Sequence, residues 1–464
     1  MKKCNIINIA TIISFFLIIV LPVAFFNFKP NQISKIDNKM LEEFPDFNSG
    51  YNDFIAQLKK YFANRIGFRE QLIKGNILLK YNVFGKLYNP TYESGEDGYI
   101  FFKTSFQKTD FDYIDDFASF VKRAEDYCTQ REVPFLYSLE PIKQLVYTQH
   151  IASGINYKND RVDYLLKRLD EEGVNYIYTA PKLIEASKTE QVFDIQYDAG
   201  HWNDNGAFIG ISEALNYFKD VFKDLKVLQK SDYTIENVLR TGLPVSYFPI
   251  NEYVPNYIIN NPEAEAIKKY SSELKRNETS RHYEYFVNEN NKDAPKLLVF
   301  CGSYYNTNDR SKFLRESFSE LIFVHNYENV LNLDYYFNIF KPDAVLFEST
   351  DYATESDYFS HENVKKASYN PAYAVFKQLS KNDGAKVEKE VQNCTGELTE
   401  LSYTIKEAAA YAYLDVDGNI YDFKINGNII SIVMDTELLK THSKGKILLI
   451  SKDLKTQQEI KIDF

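Results

Sequence analysis

From Ile6 to Phe26 the chain carries no charged residue and is rich in Ile, Leu, Val and Phe. Wound as a helix, this run is about 30 Å long, the thickness of a bilayer's hydrocarbon core. Lys2 and Lys3 precede it, which predicts a cytoplasmic N-terminus and an exported remainder. No A-x-A-like cleavage site and no lipobox cysteine come after it, so residues 1–27 are expected to stay attached as an anchor, with a cleaved signal peptide as the alternative. The expected location is therefore the cell membrane, single-pass, with the bulk of the chain extracytoplasmic.

The rest of the chain must fold outside the bilayer. Residues 28–50 are polar and contain Pro, and read as a stalk. Two helices are expected at about 51–64 and 68–83, the first with Phe54, Leu58 and Phe62 on one apolar face. Glu96-Asp97-Gly98 predicts a turn before the short strand Tyr99-Ile100-Phe101-Phe102. Helical and strand patterns then alternate: helix 111–131, strand 133–139, helix 160–172, strands 174–179 and 192–197, helix 206–220. Such alternation signals a mainly parallel sheet covered by helices. Residues 226–295 break the pattern and read as an insertion or lid, after which it resumes with strand Lys296–Phe300. Beyond about residue 390 short β runs and the turn dipeptides Asp417-Gly418 and Asn426-Gly427 predict a small antiparallel β domain over 390–464. The α/β unit is expected to occupy 51–385.

Charge and cysteine usage exclude some functions. Fifty-four Lys and Arg against 65 Asp and Glu leave a net charge of −11. A nucleic-acid partner is not expected, because binding one needs a basic stripe against the phosphates. The four cysteines, at 4, 128, 301 and 394, have no metal-ligand spacing. No motif calls for a metal or a cofactor.

Two segments carry candidate chemistry. Ser303 follows the apolar strand 296–300 directly, at the strand end where α/β sheets collect ligands. Gly302 lets the backbone approach a substrate, and amides at such a turn suit a developing oxyanion. Asp198 and His201 stand three apart in Tyr197-Asp198-Ala199-Gly200-His201-Trp202-Asn203, close enough for the carboxylate to orient the imidazole. A serine hydroxyl needs such a base, and the base needs such an orienter. Each segment taken alone also fits a plain turn or a capping Asp beside a packed His and Trp. Lys143, Trp202 and Tyr304 are expected to contribute to the substrate pocket, and Glu348 and Asp351, just past another strand, are further candidates.

An ordered series of motifs resembles a known family. The pieces are Tyr61-Phe62-x-Asn64-Arg65-x-Gly67-Phe68-Arg69, Gly95-Glu96-Asp97-Gly98-Tyr99-Ile100-Phe101, Glu140-Pro141-x-Lys143, His201-Trp202-Asn203, Gly302-Ser303-Tyr304 and Lys341-Pro342-Asp343-x-Val345. Together they resemble the SGNH hydrolase-like polysaccharide O-acetyltransferases of the AlgJ/AlgX type and the related DHHW proteins, in which the His block precedes the Ser block. Two positions depart from that pattern: Ala199 stands where the family has Asp, and Cys301-Gly302-Ser303 replaces Gly-Asp-Ser. The resemblance implies an SGNH-like sheet and a Ser303–His201–Asp198 triad. It also implies O-acyl transfer, most often acetyl, to a cell-surface or secreted polysaccharide, with a membrane-bound O-acyltransferase partner supplying acyl groups. A carbohydrate acyl esterase would use the same three residues. A surface carbohydrate-binding protein with a degenerate site is the reading from a different class.

Overall fold

The computed structural model describes residues 2–464 except 31, 35–38, 48–49, 86, 88, 90, 104–108, 156, 245–247, 277–282, 356–357, 385–386, 395 and 407–408. Part of the 28–50 segment therefore lies outside the described residues. The apolar N-terminus forms helix α1 (Lys2–Ala24). Its window Ile7–Ala24 is long and apolar enough to cross a membrane, and none of it is buried against the rest of the chain.

Helices α2 (Tyr51–Arg65) and α3 (Arg69–Phe84) meet at a tight corner. Arg65, 1% exposed, organises that corner. Its guanidinium donates to the carbonyls of Lys29 (2.6 Å) and Glu42 (2.7 Å) and pairs with the Glu43 carboxylate (2.9 Å). The described part of 28–50 thus folds back onto α2 instead of standing out as a stalk. The apolar face expected on α2 is only partly covered: Phe54 and Leu58 are half-buried and Phe62 is exposed. Tyr61 and Arg65 are the residues α2 buries.

A short hairpin, β1 (Tyr92–Ser94) with β2 (Ile100–Phe102), leads into the α/β unit. Its helices are α4 (Phe111–Thr129) and α5 (Asp160–Glu172), then α6 (Asp204–Val221), α7 (Ser303–Asn306) and α8 (Leu333–Phe340). The Asp110 carboxylate caps α4 by accepting the Tyr113 N–H at 3.1 Å. The strands are β3 (Phe135–Glu140), β4 (Tyr176–Tyr178), β5 (Tyr233–Gly242), β6 (Pro249–Ile259), β7 (Glu265–Ile267), β8 (Tyr283–Val287), β9 (Lys296–Cys301), β10 (Glu320–His325) and β11 (Ala344–Thr350). Seven of them form one sheet in the order β4-β3-β11-β9-β10-β8-β7. The first five run parallel, β8 pairs antiparallel with β10, and β7 pairs antiparallel with β8. Leu298 and Phe300 of β9 enter the core under α4, α5 and α8; Leu297, Val299 and Cys301 enter the opposite core under α6. Both faces are covered, which is why the strand is apolar throughout rather than alternating.

Two expectations fail here for identifiable reasons. Residues 192–197 form no strand of the sheet and make only one isolated bridge, Phe193 to Trp202. The backbone groups of Ile195 to Tyr197 are engaged instead by side chains and by the β2 backbone. The 226–295 region is not merely a lid: it supplies β7 and β8 to the central sheet and raises β5 and β6 as a long two-stranded ribbon.

The C-terminal region is a pair of sheets around its own apolar core. One sheet is antiparallel and contains Glu388–Cys394, Leu398–Thr404, Ile429–Asp435 and Lys424–Asn426. The other is antiparallel except at its edge, where Ser380–Asp383 pairs parallel with Thr456–Asp463. That edge strand begins ahead of the boundary expected at 390. The region is tied to the α/β unit through Asp422, which accepts from Arg131 at 2.8 Å and from Tyr127 at 2.7 Å.

Candidate active site

Strand β9 delivers Ser303 to the carboxyl edge of the sheet. Its last residue, Cys301, is buried, and Gly302 then passes beneath the ring of Tyr327. A Cβ at residue 302 would lie 1.9 Å from the Tyr327 hydroxyl and 2.0 Å from Cζ, so only glycine fits. The Gly302 N–H donates to Glu348 Oε2 at 2.7 Å. Ser303 opens α7, which leaves its own N–H without an acceptor inside the helix. The Ser303 side chain is half-buried.

The second segment arrives from the other side. His201 Nε2 lies 2.7 Å from Ser303 Oγ, and His201 Nδ1 lies 3.0 Å from both carboxylate oxygens of Asp198. Asp198 Oδ1 also accepts the backbone N–H groups of Gly200 (3.0 Å) and His201 (2.9 Å). Burial pushes the Asp198 carboxyl up. The His201 charge and hydrogen bonds outweigh this, and Arg310 adds to them, so the group is held well below the usual carboxylate range. The imidazole keeps 21% and the Asp198 side chain 18% of their exposure, so the row opens to solvent.

The meeting of two segments a hundred residues apart has physical causes. Trp202 Nε1 donates to the Tyr304 carbonyl at 3.0 Å, and the Tyr304 hydroxyl donates to the Gly200 carbonyl. The buried Arg310 guanidinium reaches the carbonyls of Trp202 and Tyr304 together. Asn203 then starts α6 by capping the N–H groups of Asn205 and Gly206 at 3.0 and 3.1 Å. On the far side, Glu252 of the β6 ribbon accepts three consecutive backbone amides: Ile195 at 2.6 Å, Gln196 at 2.8 Å and Tyr197 at 2.7 Å. The Ile195 carbonyl accepts from Ile100 N–H (2.9 Å) and from Lys143 Nζ (2.9 Å). These side-chain partners replace a strand ladder and hold the peptide that leads into Asp198.

Several residues expected in the substrate pocket are placed elsewhere. Lys143, Trp202 and Tyr304 are each fully buried. The Lys143 ammonium is spent on the carbonyls of Ile100 and Ile195, and burial lowers its pKa to about 8. Trp202 and Tyr304 bind the two halves of the site to each other. Glu348 and Asp351 are fully buried as well: Glu348 braces Gly302, and Asp351 accepts the Ile142 N–H at 3.2 Å. Burial, with the neighbouring Glu140 charge, pushes the Glu348 carboxyl well up. Gly302 is buried too, with its N–H turned to Glu348, so it too is structural rather than substrate-facing.

Sequence reasoning missed Glu252, Arg310 and Tyr352. The Tyr352 hydroxyl is buried beside the Ser303, Thr350 and Tyr327 side chains. Burial raises its pKa, so it stays protonated and able to donate. The available signal for Tyr352 was its place just past β11, next to the β9 end that carries Ser303. Among the described residues no group of three or more His, Cys, Asp or Glu side chains is arranged to hold a metal ion.

Neither protein families nor curated proteins return a match to this chain. Solved structures do. The chain is similar to Bacillus cereus PatB1 at 16% identity and a TM-score of 0.47, covering 57% of this chain and 98% of that one. It is similar to the O-acetyltransferase domain of Pseudomonas putida AlgJ at 14% identity and 0.42, covering 60% and 99%. The third is Pseudomonas aeruginosa AlgX, at 13% identity and 0.38, covering 84% and 93%.

Proposed function

We propose that the protein is a membrane-anchored, extracytoplasmic O-acyltransferase that moves an acyl group, most often acetyl, to a hydroxyl of a cell-surface or secreted polysaccharide through Ser303. The observation that carries this reading is the continuous row Ser303 Oγ–His201 Nε2–Asp198, at 2.7 and 3.0 Å. A hydroxyl, an imidazole and an ionised carboxylate in that order are what nucleophilic acyl transfer requires.

In the first half-reaction Ser303 Oγ attacks the acyl carbonyl while His201 Nε2 takes the serine proton. Asp198, ionised because its pKa is held low, stabilises the imidazolium and fixes its ring. The Ser303 N–H, which has no acceptor inside its own helix, is a donor available to the developing oxyanion, with the Tyr352 hydroxyl as a second candidate. His201 returns the proton to the leaving group, and an ester remains on Ser303. In the second half-reaction a sugar hydroxyl gives its proton to His201 and attacks the ester, and Ser303 regains the proton as the acylated sugar leaves. The acceptor class rests on the motif resemblance, as does a membrane-bound partner that would supply the acyl group. The anchoring rests on the apolar run of α1 and the lysines before it.

An acyl esterase is the second reading, because the partial exposure of His201 admits water as the acceptor. The test incubates the purified chain with an acetyl ester donor, with and without an oligosaccharide acceptor. Acetylated oligosaccharide that disappears in Ser303→Ala supports transfer. Acid release at a rate indifferent to the acceptor identifies an esterase. No Ser303-dependent product of either kind refutes both and leaves the non-catalytic binding protein.

A further inference from the structure

The motif around Asn64–Arg69 takes no part in the acyl-transfer chemistry, and its place in the fold explains what it does. The Gly67 N–H donates to the Pro22 carbonyl of α1 at 2.8 Å, inside the apolar window Ile7–Ala24. The Asn27 N–H donates to the Arg65 carbonyl at 2.8 Å. A Cβ on residue 67 would meet the Phe25 carbonyl oxygen at 2.6 Å, so the corner between α2 and α3 presses directly on the end of α1. Phe25 and Phe68 complete the joint, ring centroids 5.1 Å apart. The corner therefore sits within about one helical turn, roughly 5 Å, of the end of the apolar span.

From this corner α3 presents a stripe that the described residues leave uncovered. Leu72, Leu79 and Val83 follow helical spacing and are 60, 62 and 60% exposed, and Phe68, the residue that leads into the helix, is 41% exposed. Phe28 and Phe62, which both pack on Phe26 next to the end of α1, are exposed as well. Charge here runs against the chain as a whole: residues 25–85 hold nine Lys and Arg against six Asp and Glu, in a protein of net charge −11. Lys29, Lys59 and Lys60 are exposed. One apolar face of α3, through Ile73 and Ile77, packs on the protein, and a second exposed apolar stripe, joined to the end of a spanning helix in a segment of net positive charge, suits a membrane interface.

We propose that α3 and the α2–α3 corner form a second membrane contact, with the Phe68–Leu72–Leu79–Val83 stripe seated in the headgroup and upper acyl region of an anionic phospholipid bilayer. This rests on the reading of α1 as a membrane anchor. The contact ties the catalytic unit to the surface at two places, so the chain does not swing freely on a single helix. The Arg65 and Gly67 motif is the rigid joint between the two.

The test uses the full chain with Cys4→Ser and Cys394→Ser, leaving the buried Cys128 and Cys301 in place. One cysteine is then introduced at a time: Leu79→Cys on the stripe, Ile13→Cys in α1, or Lys455→Cys on the exposed C-terminal region. Each is labelled with an environment-sensitive fluorophore and reconstituted into vesicles of phosphatidylglycerol and phosphatidylcholine. The expected result for Leu79→Cys is blue-shifted emission, quenching by nitroxide-labelled lipid and protection from aqueous iodide. A Leu79→Cys label that is iodide-accessible like Lys455→Cys, while Ile13→Cys reports lipid, overturns the second contact and keeps the anchor. An Ile13→Cys label that itself reports water overturns the anchor and the contact together. Because the vesicles hold no other protein, protection at Leu79 can come only from lipid or from a second copy of the chain, and protection without quenching by nitroxide-labelled lipid identifies the second copy and overturns the bilayer contact.

Discussion

Replacing Glu252 by Gln changes one atom on the β6 ribbon, yet the structure predicts a loss of activity. One carboxylate oxygen serves Ile195 N–H and the Gln191 amide, and the other serves Gln196 N–H and Tyr197 N–H. A glutamine keeps a single acceptor oxygen. It can retain the Gln196 and Tyr197 bonds and leaves the Ile195 amide facing an NH2 group. A hydrogen bond to a charged acceptor is worth about 1.5–3 kcal/mol and roughly half that when neutral. Losing one and weakening two removes about 4 kcal/mol from the peptide that leads into Asp198. A 1 Å displacement of a catalytic group costs on the order of a hundredfold in rate. The rate of Ser303 labelling by a fluorophosphonate probe should therefore fall between ten- and a hundredfold, as an order of magnitude. Thermal unfolding read in parallel separates local loosening from global destabilisation, and His201→Ala sets the floor for labelling. Glu252→Gln labelled at the wild-type rate with unchanged thermal stability would refute the clamp.

Other perturbations have equally definite outcomes. Gly302→Ala forces a methyl into the Tyr327 ring, so the buried ring or Ser303 must shift; labelling should fall about ten- to a hundredfold, as an order of magnitude, and a wild-type rate would contradict the geometry. Glu140 is buried and its pKa is raised by that burial from 4.5 to about 7, so it helps stability below pH 4.5 and that help is lost as pH rises through 7. Denaturation of Glu140→Gln at pH 5 and pH 8 should show the variant gaining on the wild type by up to about 3 kcal/mol at the higher pH; an equal difference at both would contradict the shift. Asp422→Ala strands the buried Arg131 charge, for which about 3–5 kcal/mol is the usual cost. Limited proteolysis should release the C-terminal region from this variant under conditions that leave the wild type intact, and equal resistance would show that other contacts hold the seam.

Much of this was legible from the chain because it depends on local pattern. The apolar run at 6–26, the buried strand ending at Ser303 and the three-residue spacing of Asp198 and His201 each follow from nearby residues. Residues 192–197 misled because an apolar, β-rich run carries no sign that its amides will go to a carboxylate more than fifty positions later. Glu252 and Arg310 were invisible for the same reason, since each acts on a segment distant in sequence, whereas Tyr352 left only the weak signal of its place just past a strand that neighbours β9. Lys143 reads as a surface or pocket lysine, since nothing local announces that two carbonyls, of Ile100 and Ile195, will enclose its ammonium. The 226–295 region was hard to read because its strands are split between a ribbon and the antiparallel edge of a sheet whose parallel strands lie elsewhere in the sequence.

The most direct measurement is the covalent state of Ser303 after mixing the intact protein with an activated acetyl ester and quenching in acid. Peptide mass spectrometry should find one acetyl group on the Ser303 hydroxyl, absent from Ser303→Ala and strongly reduced in His201→Ala. An acetyl group that never reaches Ser303, or that accumulates to the same extent without His201, would contradict the account.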